Sequence, residues 1–151
     1  MLPTMPVLEL TTLIPNRTPD FVLGFCLEGL NFPKIFPERI TLLSDIDLSN
    51  LRIEAGRQFR FRHWMFNVIP ANWTVVIREV GEQHFIDEML EGPMAAFRHE
   101  HRVEAGEGGT LYTDRVTYAA IGGALMETLL VNTYMRRIFA ARHRNMLRLL
   151  A

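Results

Sequence analysis

Cys26 is the only cysteine in 151 residues, so no disulfide can form within the chain and nothing demands an oxidising compartment. Flanked by Phe25 and Leu27, it reads as a packing residue, with no adjacent base or electropositive setting to activate a thiol. Lysine is equally scarce, Lys34 standing alone, and the arginines are scattered among strand-like segments. With a formal net charge of -1 there is no basic tract to suit nucleic acid. No apolar run approaches the roughly 20 residues that span a bilayer, and the N-terminus lacks the basic-then-apolar pattern of a secretion signal. A cytoplasmic protein without membrane insertion is expected, its oligomeric state left open.

What is present suits one globular domain, 1–151. The length encloses one sizeable core and is short for two, and 48% hydrophobic with 22% charged residues excludes a disordered chain. Val7 to Ile14 reads as a strand closed by Pro15. Thr18-Pro19-Asp20 is a helix start, with a capping hydroxyl, a proline at the first helical position and an acid in the first turn. That helix runs to about Leu27, and Asn31 to Pro37 then gives a proline-bounded helical turn.

From Glu38 the chain reads as six strands, near 38–44, 57–67, 73–80, 83–90, 97–105 and 110–119. Turn residues separate them: Glu54-Ala55-Gly56, Pro70-Ala71-Asn72, Val80-Gly81-Glu82, Gly92-Pro93 and Gly106-Glu107-Gly108-Gly109. Short connections imply antiparallel neighbours, since a parallel crossover needs a dozen residues or more. After Gly122-Gly123, the stretch 124–151 has no proline or glycine. Leu125, Leu129, Leu130, Tyr134, Ile138, Phe139, Met146 and Leu150 mark its apolar stripe, and one uninterrupted helix is expected. Arg136, Arg137, Arg142 and Arg144 are assigned to its solvated face, and Met126, Met135 and Met146 to its core side.

The strands sort side chains by parity. In F-R-H-E-H-R-V, Phe97, His99, His101 and Val103 share one face while Arg98, Glu100 and Arg102 share the other, so two histidines point inward. By the same logic Phe59, Phe61, His63 and Met65 face inward, as do Trp73, Val75 and Ile77, and Tyr112, Asp114, Val116 and Tyr118. In the strand 83–90 period alone does not choose between Phe85, Asp87 and Met89 and the set Ile86, Glu88 and Leu90. A buried carboxylate demands partners. With the 106–109 hairpin centred near Gly108, His101 falls opposite Asp114 or its neighbours, and a His101–Asp114 hydrogen bond is expected.

The element order, with N-F-P-K-I-F-P, H-F-I-D-E-M-L-E-G-P-M, F-R-H-E-H-R-V, T-L-Y-T-D-R-V-T-Y and I-F-A-A-R-H, resembles the bacterial ligand-binding SRPBCC group of the START/Bet v 1-like superfamily over nearly the whole chain. Met89 and Met94 stand where that pattern usually has glutamine and an aromatic. The resemblance implies an α+β helix-grip fold: a seven-stranded curved antiparallel sheet around a long C-terminal helix, with two short helices after the first strand. It also implies a lipid-, polyketide- or aromatic-like ligand in a cavity between sheet and helix. The lining expected there is Phe61, His63, Trp73, Phe85, Phe97, His99, His101, Tyr112, Asp114, Tyr118, Met135 and Phe139.

For the polar residues four readings stay open: a satisfied core cluster, a group orienting a bound apolar molecule, an acid–base site, or a metal site. The runner-up function is a polyketide cyclase- or lyase-like enzyme with His99 or His101 as base and Asp114 as its orienting partner. Two histidines two apart on a strand plus a carboxylate is a credible ligand set, but no spacing motif supports it, so neither metal nor cofactor is expected. Ser44 and Ser49 have no context that would make either a nucleophile.

Overall fold

The computed structural model describes residues 4–43 and 51–151; Ser44, Ser49 and the end of the strand expected at 38–44 lie outside them. A first strand β1 (Val7–Pro15) is followed by helix α1 (Pro19–Leu27), a 3-10 turn (Gly29–Asn31) and the single turn α2 (Phe32–Ile35). Then come β2 (Ile40–Leu42), β3 (Gln58–Met65), β4 (Ile69–Val80), β5 (His84–Glu91), β6 (Ala96–Gly106) and β7 (Gly109–Ala119). The sheet order is β1-β7-β6-β5-β4-β3-β2, all antiparallel. This is the helix-grip arrangement expected: β2 to β7 meander, and β1 returns to close the far edge against β7.

Local chemistry explains the main elements. Thr18 caps α1, its Oγ1 accepting from the Phe21 N–H at 3.3 Å, with Pro19 at the first helical position. Glu107 and Gly108 alone separate β6 from β7, with Gly108 at φ +80°, where a β-carbon is unfavourable. That tight hairpin pairs Gly106 with Gly109 and therefore His101 with Asp114.

The β3–β4 turn is displaced from Pro70-Ala71-Asn72 to Phe66–Val68, and Pro70 lies within β4 opposite Trp64. The ladder tolerates it because the Trp64 carbonyl accepts from the Asn67 N–H at 2.9 Å while the Trp64 N–H donates to the Arg39 carbonyl at 3.0 Å, so Trp64 does not need the N–H that Pro70 lacks. Moreover, β4 pairs with β5 only from Thr74 onward, so this end of the strand has one hydrogen-bonded neighbour.

The C-terminal helix is not uninterrupted. A short α3 (Gly123–Met126) passes through a π-helical turn (Glu127–Val131) into α4 (Asn132–Leu150). Gly122 and Gly123 adopt φ +100° and +71°, a conformation that favours glycine. Two side chains anchor the start: Glu127 accepts from the Ala120 N–H at 3.1 Å, and Tyr118 donates to Asn132 Oδ1 at 2.5 Å.

A π turn changes the phase of the helix faces, so the expected stripe splits. Met135, Ile138, Phe139, Met146 and Leu150 are buried, whereas Leu125, Leu129, Leu130 and Met126 are exposed. Arg136, Arg137 and Arg144 face solvent, but Arg142 does not; it is 3% exposed. Spacing explains this, since Arg142 is four residues from both Ile138 and Met146 and shares their face.

Candidate functional site

Sheet and α4 enclose a cavity of about 430 Å³. From the sheet its wall takes Phe59, Phe61, His63 and Met65 of β3, Trp73, Val75 and Ile77 of β4, Phe85 and Asp87 of β5, and Phe97, His99 and His101 of β6. Met135, Ile138, Phe139 and Arg142 of α4 face them, and Phe32, Ile35 and Phe36 close one side. Parity thus operates in β3, β4 and β6 as expected. In β5 it resolves toward Phe85 and Asp87, while Glu88 turns outward to Arg78, 3.2 Å away.

Nine of the expected lining residues, Phe61, His63, Trp73, Phe85, Phe97, His99, His101, Met135 and Phe139, border the cavity. Tyr112, Asp114 and Tyr118 are buried but stand outside its wall. Tyr118 is the anchor of α4 described above, and the other two form a layer behind the histidines.

Aromatic contacts organise the apolar wall. Phe61 stacks on Trp73 with centroids 5.9 Å apart, Phe97 meets Trp73 edge-on at 5.1 Å, and Phe139 meets His99 edge-on at 5.2 Å. Trp73 Nε1–H is buried without a hydrogen-bond partner among the described residues. An unspent buried donor is costly, and this one belongs to a residue of the wall.

The polar end is built around Asp114, which is 1% exposed. Its Oδ1 accepts from His99 Nε2 at 2.6 Å and from the Tyr112 hydroxyl at 2.7 Å. Its Oδ2 accepts from Arg142 Nε at 3.0 Å and His143 Nε2 at 2.8 Å. Four donors fill the capacity of one carboxylate. Burial alone would raise its pKa, but the Arg142 guanidinium and the surrounding imidazoles hold it well below the usual range. Burial opposes the charge of Arg142 too, and Asp114 with its neighbours outweighs it, keeping the guanidinium protonated. The Tyr112 hydroxyl, pushed well up mainly by burial, remains a phenol and accepts from Arg142 Nη2 at 2.7 Å. Thr12 of β1 completes the layer at 2.7 Å from His143 Nδ1.

The expected His101–Asp114 hydrogen bond is not made, although the two residues are direct partners in register. His101 Nδ1 is 3.6 Å from Asp114 Oδ1, too long to count. The imidazole instead spends Nε2 on Asp87 Oδ2 at 2.6 Å and lies flat on Phe85 at 3.9 Å. His99 takes the place beside Asp114. Burial, then the neighbouring His99, pushes the His101 pKa down to about 4. Asp87 is depressed, the hydrogen bond from His101 and the nearby imidazoles outweighing burial. Cys26 borders the cavity near Arg142, its thiol pushed up to about 12 chiefly by burial.

A second carboxylate sits at the other end. Glu38 Oε1 accepts from His63 Nε2 at 2.8 Å and from the Tyr134 hydroxyl, and its Oε2 from the Phe66 N–H at 2.6 Å. Phe66 holds φ +53°, uncommon for a bulky residue, and its ring packs on Tyr134 at 5.1 Å. Phe66, Ile69 and Leu130 are the exposed members of the described lining, so the cavity meets solvent there.

Arg142, His143, Glu38 and Tyr134 were not among the expected site residues. The first two had a signal, since they fall on the buried face defined by Met135, Ile138, Phe139 and Met146. For Glu38, the signal of a lone acid beside a proline was too weak to find it.

No family model and no curated protein matches the sequence. Solved structures do match the fold. A START superfamily protein from Mycobacterium smegmatis aligns over 98% of this chain and 97% of its own, with TM-score 0.67 and 10% identity. Major latex-like protein 151 from Panax ginseng aligns over 99% of both chains, with TM-score 0.69 and 14% identity. The di-domain ARO/CYC StfQ from the steffimycin biosynthetic pathway aligns over 97% of this chain and 50% of its own, with TM-score 0.69 and 14% identity. Among the described residues no helix is long and apolar enough to cross a membrane. Seven antiparallel strands wrapped on a terminal helix give this chain the helix-grip fold, the fold it shares with these solved structures.

Proposed function

We propose that this protein binds a largely apolar, aromatic- or acyl-bearing molecule in the cavity, with a polar group of that molecule directed at the His99–His101–Asp87 end. The observation that carries this reading is the division of the wall: about 430 Å³ bounded almost wholly by aromatic and aliphatic side chains, with the polar atoms gathered at defined places. Such a division suits binding by area and orientation by a few directed groups. The fold is shared with proteins named as START, latex-like and ARO/CYC, which supports a lipid- or polyketide-like ligand class.

The test uses N-phenyl-1-naphthylamine, a neutral aromatic probe, with extraction and mass spectrometry of the purified protein beside it. One equivalent should bind and raise the melting temperature. Ile138→Trp, which fills the cavity from α4, should weaken binding at least tenfold while the protein remains folded. Absence of uptake, or uptake untouched by a folded Ile138→Trp variant, overturns the reading.

One observation favours a second reading, a cyclase- or lyase-like acid–base role. Asp114 accepts a hydrogen bond from His99 Nε2 at 2.6 Å, which orients the ring with Nδ1 free of that bond, the arrangement an acid–base histidine needs. If so, His99→Gln would retain the extracted compound but stop its conversion; equal conversion by the variant excludes it.

A further inference from the structure

Asp87 of β5 and His99 and His101 of β6 each offer one ligand atom, and these atoms lie within 4.8 Å of one another. Asp87 Oδ2 is 2.6 Å from His101 Nε2 and 3.8 Å from His99 Nδ1. The second distance is too long for a hydrogen bond. His99 Nε2 is committed to Asp114, which leaves its Nδ1 facing the Asp87 carboxylate across that gap.

The nearby guanidinium is committed elsewhere: Arg142 is bonded to Asp114 and Tyr112, and its Nη2 lies 3.3 Å from His101 Nδ1. Among the described residues no arginine or lysine pairs with Asp87, whose side chain is 16% exposed. The three ligand atoms of Asp87, His99 and His101 are thus grouped at the wall of the cavity with space for a cation to meet all of them.

We propose that Asp87, His99 and His101 form a binding site for a first-row divalent metal ion of the zinc or cobalt(II) kind, with at least one coordination position open to the cavity. Two imidazoles and a carboxylate are the donor set such ions take in open sites. The supporting layer is in place: Asp114 orients His99 through Nε2, and the Tyr112 oxygen lies 3.3 Å from His101 Nδ1. Carboxylate-backed histidines of this kind fix the ring tautomer at metal centres. Metal at Nε2 would leave the His101 proton on Nδ1, for which the Tyr112 oxygen is the acceptor, and Arg142 Nη2, now 3.3 Å from Nδ1, would turn from it while keeping its bond to that oxygen. Bonds of about 2.1 Å set tetrahedral ligand atoms roughly 3.4 Å apart, so Asp87 Oδ2, now 2.6 Å from His101 Nε2, would draw back from it.

The test titrates the EDTA-treated full chain with Co(II) and reads visible d–d absorption. Bands saturating at one equivalent, and lost on adding Zn(II), are expected. Asp87→Asn should abolish them, and Tyr112→Phe should weaken Co(II) binding about tenfold. His84→Ala, at the surface beside Glu79, should leave them intact. No bands at stoichiometric Co(II), bands unchanged in Asp87→Asn, or equal loss in His84→Ala overturns the proposal. If Asp87→Asn does not fold, the wild-type chain labelled with 15N-histidine decides the matter. Zn(II) should then shift the ring nitrogens of His99 and His101 and spare those of His63 and His143; any other pattern excludes the site.

Discussion

The two ends of the cavity each tie the sheet to the terminal helix through a carboxylate, and they do it differently. Asp114 is buried, filled by four side-chain donors and matched by the Arg142 cation from α4. Glu38 receives an imidazole, a phenol and one backbone N–H, with no guanidinium or ammonium bonded to it among the described residues. Around Asp114 the chain is regular strand and helix. Around Glu38 there are a left-handed turn residue at Phe66, a nearby π turn and exposed apolar side chains. A buried ion pair has few alternatives once formed, whereas hydrogen bonds to a carboxylate near solvent can be replaced by water. The contrast makes the Asp114 end the fixed floor of the cavity and the Glu38 end the side through which a molecule would enter.

Substitution at the two carboxylates tests that contrast most severely. Asp114→Ala strands Arg142 in the interior and unties His99, Tyr112 and His143; a loss of about 3–5 kcal/mol is expected. Glu38→Ala frees the His63 ring, the Tyr134 hydroxyl and the Phe66 N–H close to the mouth, where water can take them up, and should cost about 1–2 kcal/mol. Urea unfolding of both variants measures the difference. Equal losses would erase the distinction between floor and mouth.

Much of this was legible in the sequence, and the residues that were not share a reason. Alternation in F-R-H-E-H-R-V fixes which way His99 and His101 point, and the two-residue turn after Gly106 fixes the pairing of His101 with Asp114. Register, however, sets which β-carbons are neighbours, not which hydrogen bonds form. Imidazoles 3.6 Å apart can each choose between two carboxylates, and the choice depends on Asp87, whose strand gave no clear parity. Arg142 was assigned to solvent together with Arg136, Arg137 and Arg144, because a set of helix arginines usually belongs there. Its place on the buried face was visible in the spacing, but its need for Asp114 appears only when β7 and α4 are brought together. The break in the terminal helix had no proline or glycine to announce it, because it arises from tertiary anchors at Glu127 and Asn132.

Cys26 sharpens the comparison at intermediate scale, for it lies at the fixed end, near Arg142 and Tyr112. Its thiol, at 8% exposure and with its pKa pushed up to about 12 chiefly by burial, is protonated at pH 8 and hidden from reagents. Labelling by a disulfide reagent at that pH should proceed only as fast as the protein unfolds, and Cys26→Ala should cost about 1 kcal/mol as the loss of a small packed group. Rapid labelling of the folded chain would show that the floor opens locally and is not the rigid end.

The smallest effect is expected where the helix emerges at the mouth. Leu125 and Leu129 are 68% and 69% exposed, because the π turn rotates them away from the face that carries Ile138 and Phe139. Leu129→Ser therefore removes little buried surface and should change stability by no more than about 0.5 kcal/mol. Ile138→Ala on the inner face should cost about 2–5 kcal/mol, because it deletes packed methyl groups. A large loss from Leu129→Ser would mean that this segment packs in solution against something, such as a second copy of the chain or the body of the protein, and that the mouth is ordinarily covered.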